Sequence, residues 1–565
     1  IEVNGWNASD AWSNAGTLRA NGGILSINDT WSSTGSLRLD AGTMFLAGSF
    51  NTASFNTLVR PADADRGTLN LVGVLNNTGS TLLLNGATGT LNIGGNSTST
   101  GLISGGTVRI NNADGGALNT GYAGISGTAF GGSPYAVLSN VTLANVAGVA
   151  NSGRMTIADN GDVRIVGALT LDNAEVTLAS SGSSTYLRGT AGAWSINGNG
   201  SILFAGSHNA VRANNVIGYT TALTLGSGVT VAGPNGGYVY FGNGGVNNGT
   251  ISADTAGKNI DVNGWNASDA WSNAGTLRAN GGILSLNDAW SSSGSLRLDA
   301  GTMFLAGSFN TASFNTLIRP ADADRGTLNL VGVLNNTGST LLLNGATGTL
   351  NIGGNSTSTG LISGGTVRIN NADGGALNTG YAGISGTAFG GSPYAVLSNV
   401  TLANVAGVAN SGRMTIADNG DVRVLGALTL DNAEITLASS GSSTYLRGTA
   451  GAWSINGNGS ILFAGSHNAV RANNVIGYTT ALTLGSGVTV SGPNGGYIYF
   501  GSGGVNNGTI SADTAGKNIE VNGWNASDAW SNAGTLRANG GILSINDTWS
   551  STGSLRLDAG TMFLA

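Results

Sequence analysis

The chain of 565 residues contains no cysteine. This absence excludes disulfide bonds, thiolate metal ligands and cysteine nucleophiles. It is compatible with an exported protein that must avoid mispaired thiols. Charge is also scarce, because Asp, Glu, Lys and Arg make up only 9% of the chain, with 22 basic and 28 acidic side chains. Since no run of basic residues is present, we expect no nucleic-acid partner.

Histidine is rare, and long apolar runs are absent. The only two histidines, His208 and His467, lie far apart in the sequence. A Ser-His-Asp triad or a histidine-based zinc site is therefore not expected. No apolar stretch is long enough to span a bilayer, so we expect no membrane contact within this segment. The pattern is already under way at the first residue and unfinished at the last, which suggests that targeting signals lie outside it.

What the chain does contain is glycine and aliphatic residues. Glycine accounts for 96 residues, and hydrophobic residues for 40% of the chain. A glycine-rich, weakly charged chain is often disordered, but such chains are also poor in aliphatic side chains. This composition instead favours a packed core between glycine-rich turns.

A long internal repeat organises the sequence. Residues 1–259 and 260–518 are two nearly identical copies, and residues 519–565 begin a third. The full copies differ at eleven positions, and six of these exchange one aliphatic side chain for another. Such exchanges preserve the volume of a core. Tandem copies add length to a stalk, whereas a second active site in tandem adds little to an enzyme.

A shorter repeat lies inside each copy. Residues 10–28, DAWSNAGTLRANGGILSIN, align with residues 29–47, DTWSSTGSLRLDAGTMFLA, at an offset of 19. The alternation of apolar and polar residues over four or five positions is typical of a half-buried strand. The Gly, Asn and Asp clusters between these segments are typical of tight turns.

Stacking of these units predicts the fold. One unit cannot bury its apolar face alone, but successive coils close a continuous core. We therefore predict an all-β, right-handed parallel β-helix, or β-solenoid, with roughly a dozen coils per 259-residue repeat. A β-sandwich is the alternative, since it also uses short strands and turns.

The segments NAGTLRANGGILSIN, TGSLRLDAGTMFLAG, RGTLNLVG and TGTLNIGG resemble the strand repeats of bacterial surface adhesins. That group includes filamentous-haemagglutinin-like proteins and the passenger domains of autotransporters. The resemblance covers essentially the whole chain. It implies secretion to the cell surface and a role in attachment, in a biofilm matrix or in a surface filament. It does not indicate a ligand.

Aromatic residues are the candidate glycan contacts. Trp12 and Trp31 occupy equivalent places in adjacent units, so a solenoid would stack them into a ladder. If the ladder is exposed it could hold sugar rings, and if it is buried it stabilises the core. The full candidate set is Trp6, Trp12, Trp31, Tyr238, Tyr240, Trp265, Trp271 and Trp290.

Two other clusters contain carboxylates. Asp10, Asp29 and Asp40 would lie near one another in a stack, where a Ca²⁺ ion could relieve their repulsion, although turn capping explains them better. The segment 60–66, RPADADR, resembles the acid and arginine loops of polysaccharide-processing enzymes. It can also form a self-paired surface loop.

These observations favour a non-enzymatic, extracellular structural or adhesive protein without a cofactor, which forms a stiff rod or filament. Its expected partners are other copies of itself, surface polysaccharide or a neighbouring cell surface. Carbohydrate binding along an aromatic face is the second hypothesis. A polysaccharide-processing β-helix enzyme is the third, and it would need a groove in which Asp and Arg side chains converge.

Overall fold

The computed structural model describes residues 1–61, 66–94, 100–120, 135–190, 192–206, 214–320, 326–353, 359–379, 394–449, 451–465 and 474–565. The chain is 60% strand and 3% helix. It forms two compact units, residues 1–297 and 298–565. The predicted β-solenoid is confirmed, because the strands pair in parallel between successive coils in each unit.

The first unit is built from short strands that alternate with turns. Its strands are Glu2–Val3, Ala11–Asn14, Thr17–Ile27, Thr30–Ser33, Ser36–Leu46, Ser49–Asn51, Leu58–Val59, Thr68–Leu71, Val74–Asn76, Thr81–Leu84, Thr90–Ile93, Gly101–Ser104, Thr107–Ile110, Ala117–Thr120, Ala136–Ala144, Arg154–Ile157, Asp162–Leu178, Thr185–Gly189, Trp194–Phe204, Asn215–Gly218, Leu223–Leu225, Gly228–Ala232, Gly237–Tyr240, Val246–Asn247, Thr250–Ala253, Asn259–Asn263, Ala270–Asn273, Thr276–Leu286 and Ala289–Ser292. Its helical turns are Thr52–Phe55 and Asn112–Asp114.

The second unit has the same kind of elements. The strand Ser295–Leu305 contains the division between the units. The later strands are Ser308–Asn310, Leu317–Ile318, Thr327–Leu330, Val333–Asn335, Thr340–Leu343, Thr349–Ile352, Gly360–Ser363, Thr366–Ile369, Ala376–Thr379, Ala395–Ala403, Arg413–Ile416, Asp421–Leu437, Thr444–Gly448, Trp453–Phe463, Asn474–Gly477, Leu482–Leu484, Gly487–Ser491, Gly496–Tyr499, Val505–Asn506, Thr509–Ala512, Asn518–Asn522, Trp530–Asn532, Thr535–Ile545, Trp549–Ser551 and Ser554–Leu564. Its helical turns are Thr311–Phe314 and Asn371–Asp373.

Each coil has three sides. Thr68–Leu71 pairs with Thr90–Ile93, which is the third strand after it, and Val74–Asn76 pairs with Gly101–Ser104 in the same way. The second unit repeats this rule, since Thr340–Leu343 pairs with Thr366–Ile369. Strand pairing three elements ahead means that one coil contributes one strand to each of three parallel sheets.

Residues that pair from coil to coil form a column along the solenoid. The number of coils per copy follows from one such column in the first unit. Its successive members, one coil apart, are Ala11, Thr30, Ser49, Val74, Leu102, Val137, Arg164, Arg188, Gly218, Tyr240 and Asn263, where the step from Arg188 to Gly218 continues the register of the pair Leu187 and Ile217. Asn263 is thus ten coils from Ala11, and 263 − 11 gives 252 residues. A copy has 259 residues, so 259 − 252 leaves seven. Because Asn263 is the residue of copy 2 equivalent to Asn4, these seven residues are the step from Asn4 to Ala11, which is one side of a coil.

A copy therefore comprises ten and one third coils, somewhat fewer than the dozen that the sequence predicts. The reason is the uneven coil length. The step from Ala11 to Thr30 takes 19 residues, whereas the step from Leu118 to Met155 takes 37. The number of residues between paired positions differs from coil to coil, and the short motif cannot reveal this.

Alternation within the strands places the core inside the coil. In Thr81–Leu84 the side chains of Leu82 and Leu84 are fully buried, whereas Leu83 between them is 41% exposed. Period-two alternation puts successive side chains on opposite faces of a sheet. The interior is thus an aliphatic column enclosed by the three sheets.

The copy boundary is not a structural boundary in the first unit. Residues 259 and 260 belong to the strand Asn259–Asn263, which pairs below with Gly237–Tyr240 and above with Thr276–Leu286. Stacking therefore runs through the junction between copies without interruption. Among the described residues, no helix combines the length and apolar character needed to cross a bilayer.

Candidate functional site

The tryptophan ladder exists, and it is largely internal. Trp12 and Trp31 are directly paired, and their ring centroids are 6.3 Å apart. Phe50 continues the stack at 4.4 Å from Trp31. Trp31 is only 3% exposed, and its Nε1 donates a hydrogen bond to the carbonyl of Ala47 at 3.0 Å. The ring and its polar atom are both used by the core, so the ladder stabilises the coil.

The second copy repeats this arrangement. Trp271 and Trp290 stack at 6.2 Å, and Trp271 also lies on Phe241 at 5.4 Å. Trp271 is 2% and Trp290 4% exposed. These rings, like Trp31, are therefore inaccessible to a glycan.

A different aromatic group remains at the surface. Tyr238 and Tyr240 are two positions apart on one strand, and their rings are nearly parallel at 5.9 Å with an interplanar angle of 6°. Trp265 contacts Tyr240 edge-on at 5.2 Å and Tyr219 at 4.1 Å. All four rings are half-buried. We call the group of Tyr219, Tyr238, Tyr240 and Trp265 the junction cluster.

The second unit contains an equivalent junction cluster. Tyr497 and Tyr499 stack at 6.0 Å, and Trp524 lies 5.2 Å from Tyr499 and 4.1 Å from Tyr478. The same geometry thus forms at both copy junctions. Trp6, the residue equivalent to Trp265, is 93% exposed and has no ring partner among the described residues.

An ion pair lies beside the junction cluster. Arg188 donates from Nε and Nη2 to the two carboxylate oxygens of Asp162, at 3.0 and 2.6 Å. The two side chains are 9% and 10% exposed. The guanidinium carbon of Arg188 also lies close to two tyrosine rings, 5.2 Å from the centroid of Tyr186 and 5.1 Å from that of Tyr219. The pair therefore anchors the tyrosines of the surface to the coil.

The pKa values of Arg188 and Tyr240 are both raised, for different reasons. Burial alone would lower the pKa of Arg188, but the hydrogen bonds and the charge of Asp162 outweigh it and raise this pKa. Burial raises the pKa of Tyr240 to about 12, with smaller contributions from Tyr238 and Asp261. Both groups therefore keep one protonation state throughout the physiological range.

The three aspartates considered for calcium have protein partners. Asp10 accepts from the backbone N–H of Asn7 at 3.0 Å, and Asp29 accepts from that of Gly5 at 2.8 Å. These contacts are the turn caps that the sequence favoured. No cluster of three His, Asp or Glu side chains suited to a metal ion occurs in the described part of the chain.

Asp40 pairs with two stacked arginines. Arg19 and Arg38 are directly paired on adjacent strands, as the sequence predicts. Their Nε atoms lie 2.5 and 2.8 Å from the carboxylate of Asp40. Hydrogen bonding from Arg38, assisted by Arg19, holds the pKa of Asp40 below its ordinary value. The carboxylate therefore neutralises a like-charge stack.

The segment 60–66 is described only in part. Asp63 and Asp65 lie outside the described residues, as do His208 and His467. Arg60 donates to the carbonyls of Thr88 at 2.6 Å and Gly67 at 2.7 Å. Burial, reinforced by the charge of Arg66, lowers the pKa of Arg60. The guanidinium of Arg60 thus bonds the backbone of its own turn and that of the next coil.

One further carboxylate, which follows the strand Arg154–Ile157, has a strong local role. The Oδ1 atom of Asp159 accepts three backbone N–H groups, from Ser181 at 2.7 Å, Gly182 at 3.0 Å and Ser183 at 2.9 Å. Burial alone would raise the pKa of Asp159, but these amide hydrogen bonds outweigh it and lower the pKa. The carboxylate thus holds a turn of the next coil in place.

This geometry predicts an acid-sensitive turn. Because the folded-state pKa lies below the ordinary value of 3.8, the stabilisation is complete above pH 3.8 and disappears as the pH falls through the folded-state value. We expect amide protection of residues 181–183, measured by hydrogen exchange and corrected for intrinsic rates, to fall in that window. Asp159→Asn should remove the pH dependence. Protection that is constant to pH 2, or a dependence that persists in Asp159→Asn, would contradict the assignment.

The ion pair and the tyrosines around it are the features that the sequence analysis missed. A weak signal was present, because Asp162-Val163-Arg164 and Tyr186-Leu187-Arg188 have the same alternation and become direct strand partners. Their separation of 24 residues does not match the 19-residue motif, so they could not be aligned without the register.

The fold and these contacts define a parallel β-solenoid that carries one aromatic surface cluster at each copy junction. No protein-family model matches the chain, and comparison with curated proteins finds no relative. The class of protein is therefore defined by its architecture.

Proposed function

We propose that this chain is a structural segment of an extracellular adhesive filament. The observation that carries the proposal is the unbroken stacking through the copy junction in the first unit, where Asn259–Asn263 is paired on both sides. A protein in which each tandem copy adds coils without a break can gain length by duplication. The resemblance to the strand repeats of bacterial adhesins supports a location at the cell surface.

The conserved interior of the copies agrees with a mechanical role. Six of the eleven differences between the copies are aliphatic exchanges, which leave coil stacking intact. Any uncovered end of a solenoid presents unpaired strand edges, and these favour association with another copy. Self-association into filaments is therefore part of the proposal.

Length per copy provides the test. With strands about 4.8 Å apart, ten and one third coils add about 50 Å. We expect electron microscopy of the secreted protein at low concentration to show thin rods, each one chain long, that shorten by about 50 Å when residues 260–518 are deleted. That deletion joins copy 1 to the third copy through an equivalent junction, so the register is kept. Compact particles, or a length that does not change with copy number, would refute the proposal.

Carbohydrate binding is a second candidate function, favoured by the junction cluster. Half-buried Tyr and Trp rings combine an apolar face with polar edges, which is the chemistry that stacks on a sugar ring. Burial of Trp31, Trp271 and Trp290 removes these rings from this function and leaves Trp6, Trp12, Tyr238, Tyr240 and Trp265 as the accessible candidates. The weakly charged chain suits a neutral glycan better than a polyanion.

A further inference from the structure

The junction cluster is a composite of two copies. Tyr219, Tyr238 and Tyr240 belong to the end of copy 1, whereas Trp265 belongs to the start of copy 2. Trp265 packs between tyrosines of the preceding copy, but its equivalent Trp6 is 93% exposed. A complete cluster therefore requires a copy junction, and the described chain has one such cluster in each unit.

The fractional coil count changes the direction in which equivalent residues face. In the first unit, Glu2 lies in the column that continues through Ser26, Phe45 and Asn70. Its equivalent Asp261 pairs with Tyr238, in the column that begins near Ala11. The start of copy 2 thus occupies the side of the coil next to the one that the start of copy 1 occupies.

The second unit shows the same displacement independently. Thr302 pairs with Thr327 in a column that leads to Thr535. Its equivalent Thr561 pairs with Ile542, on the side of the coil whose stack of strands begins with Ser308–Asn310. Since 561 − 302 is 259, one copy again advances equivalent residues by one side of the coil.

We infer that the sugar-stacking site at the first copy junction lies on the side of the coil next to the one that holds the equivalent residues at the start of copy 1. The sugar-binding part of this inference rests on the carbohydrate-binding function proposed above, whereas the change of direction rests on register alone. If a copy contained a whole number of coils, the two sets of equivalent residues would instead lie on the same side.

The change of direction can be tested without any ligand. Because the chain has no cysteine, a double-cysteine variant reports a single pairing. Tyr238→Cys with Asp261→Cys joins direct partners on adjacent parallel strands, a separation that a disulfide spans. If a copy contained a whole number of coils, residue 261 would instead lie in the column of Glu2, directly above Ala232. The matched variant is therefore Ala232→Cys with Asp261→Cys.

Mild oxidation of the full chain should form the 238–261 disulfide nearly completely and leave the 232–261 pair reduced. The measurement is mass spectrometry of proteolytic fragments. Closure of the 232–261 pair in place of the 238–261 pair would overturn the change of direction. This result does not depend on whether the chain binds sugar.

Sugar binding at the junction cluster is tested with an array of neutral oligosaccharides of glucose, galactose and N-acetylglucosamine. We expect Trp265→Ala and Trp524→Ala each to remove about half of the bound oligosaccharide, and the double variant to weaken binding at least about tenfold. Trp6→Ala, which changes the equivalent residue outside a junction, should alter binding less than about twofold. An equal loss in Trp6→Ala would overturn the composite site. Absence of binding by the unmodified chain would overturn the carbohydrate proposal itself.

Discussion

Replacing Asp162 with alanine is expected to lower the free energy of unfolding of the first unit by about 3–5 kcal/mol. The reason is that Arg188 would remain 9% exposed without the carboxylate that holds both its Nε and Nη2 atoms. An uncompensated buried charge is much less stable than a buried pair. The measurement is urea unfolding, with hydrogen exchange to assign the loss to the coils that contain residues 162–188.

Two further variants separate this effect from loss of charge in general. Glu175→Ala breaks the pair with Arg154, whose side chain is 51% exposed, and should change stability by less than about 1 kcal/mol. Asp162→Leu combined with Arg188→Met replaces the buried pair by apolar groups and should recover most of the loss. Equal effects of Asp162→Ala and Glu175→Ala would show that the buried pair has no special role.

The stacking of equivalent residues could be predicted from the sequence, but their burial could not. The 19-residue offset correctly placed Trp12 beside Trp31 and Arg19 beside Arg38. Period-two alternation leaves open which face of a strand points inward, because that depends on the other two sides of the coil. Trp31 and Arg38 consequently lie on opposite faces, one inside the coil and one in solvent.

Long-range register limited the prediction of the surface cluster. Tyr219 and Trp265 are 46 residues apart and belong to different copies, and two coils of unequal length separate their strands. The residue offset between coils changes from 19 to 37, so no fixed period connects these residues. The contact, and with it the fractional coil count, follows only from the complete set of strand pairings.

Gly218 should be the least replaceable residue beside the junction cluster. A Cβ atom there would lie 1.8 Å from the carbonyl oxygen of Tyr240 in the next coil, and φ is +80°. Gly218→Ala combines left-handed backbone strain with overpacking against a paired strand, which together destabilise by about 2–5 kcal/mol. The shift of Tyr240 would also separate it from Trp265.

Gly148 provides the matched control for that substitution. Its φ is +76°, but a Cβ atom at this position would meet nothing within 4 Å. Gly148→Ala should therefore show the backbone strain alone, about 1–2 kcal/mol. Urea unfolding of the two variants, with hydrogen exchange in residues 237–240, measures the difference. If the two alanines are equally destabilising and exchange at the junction is unchanged, close coil-to-coil approach is not what requires glycine at position 218. A larger loss in Gly218→Ala, with faster exchange in that strand, would show that the spacing of the coils fixes both the glycine and the aromatic surface built over it.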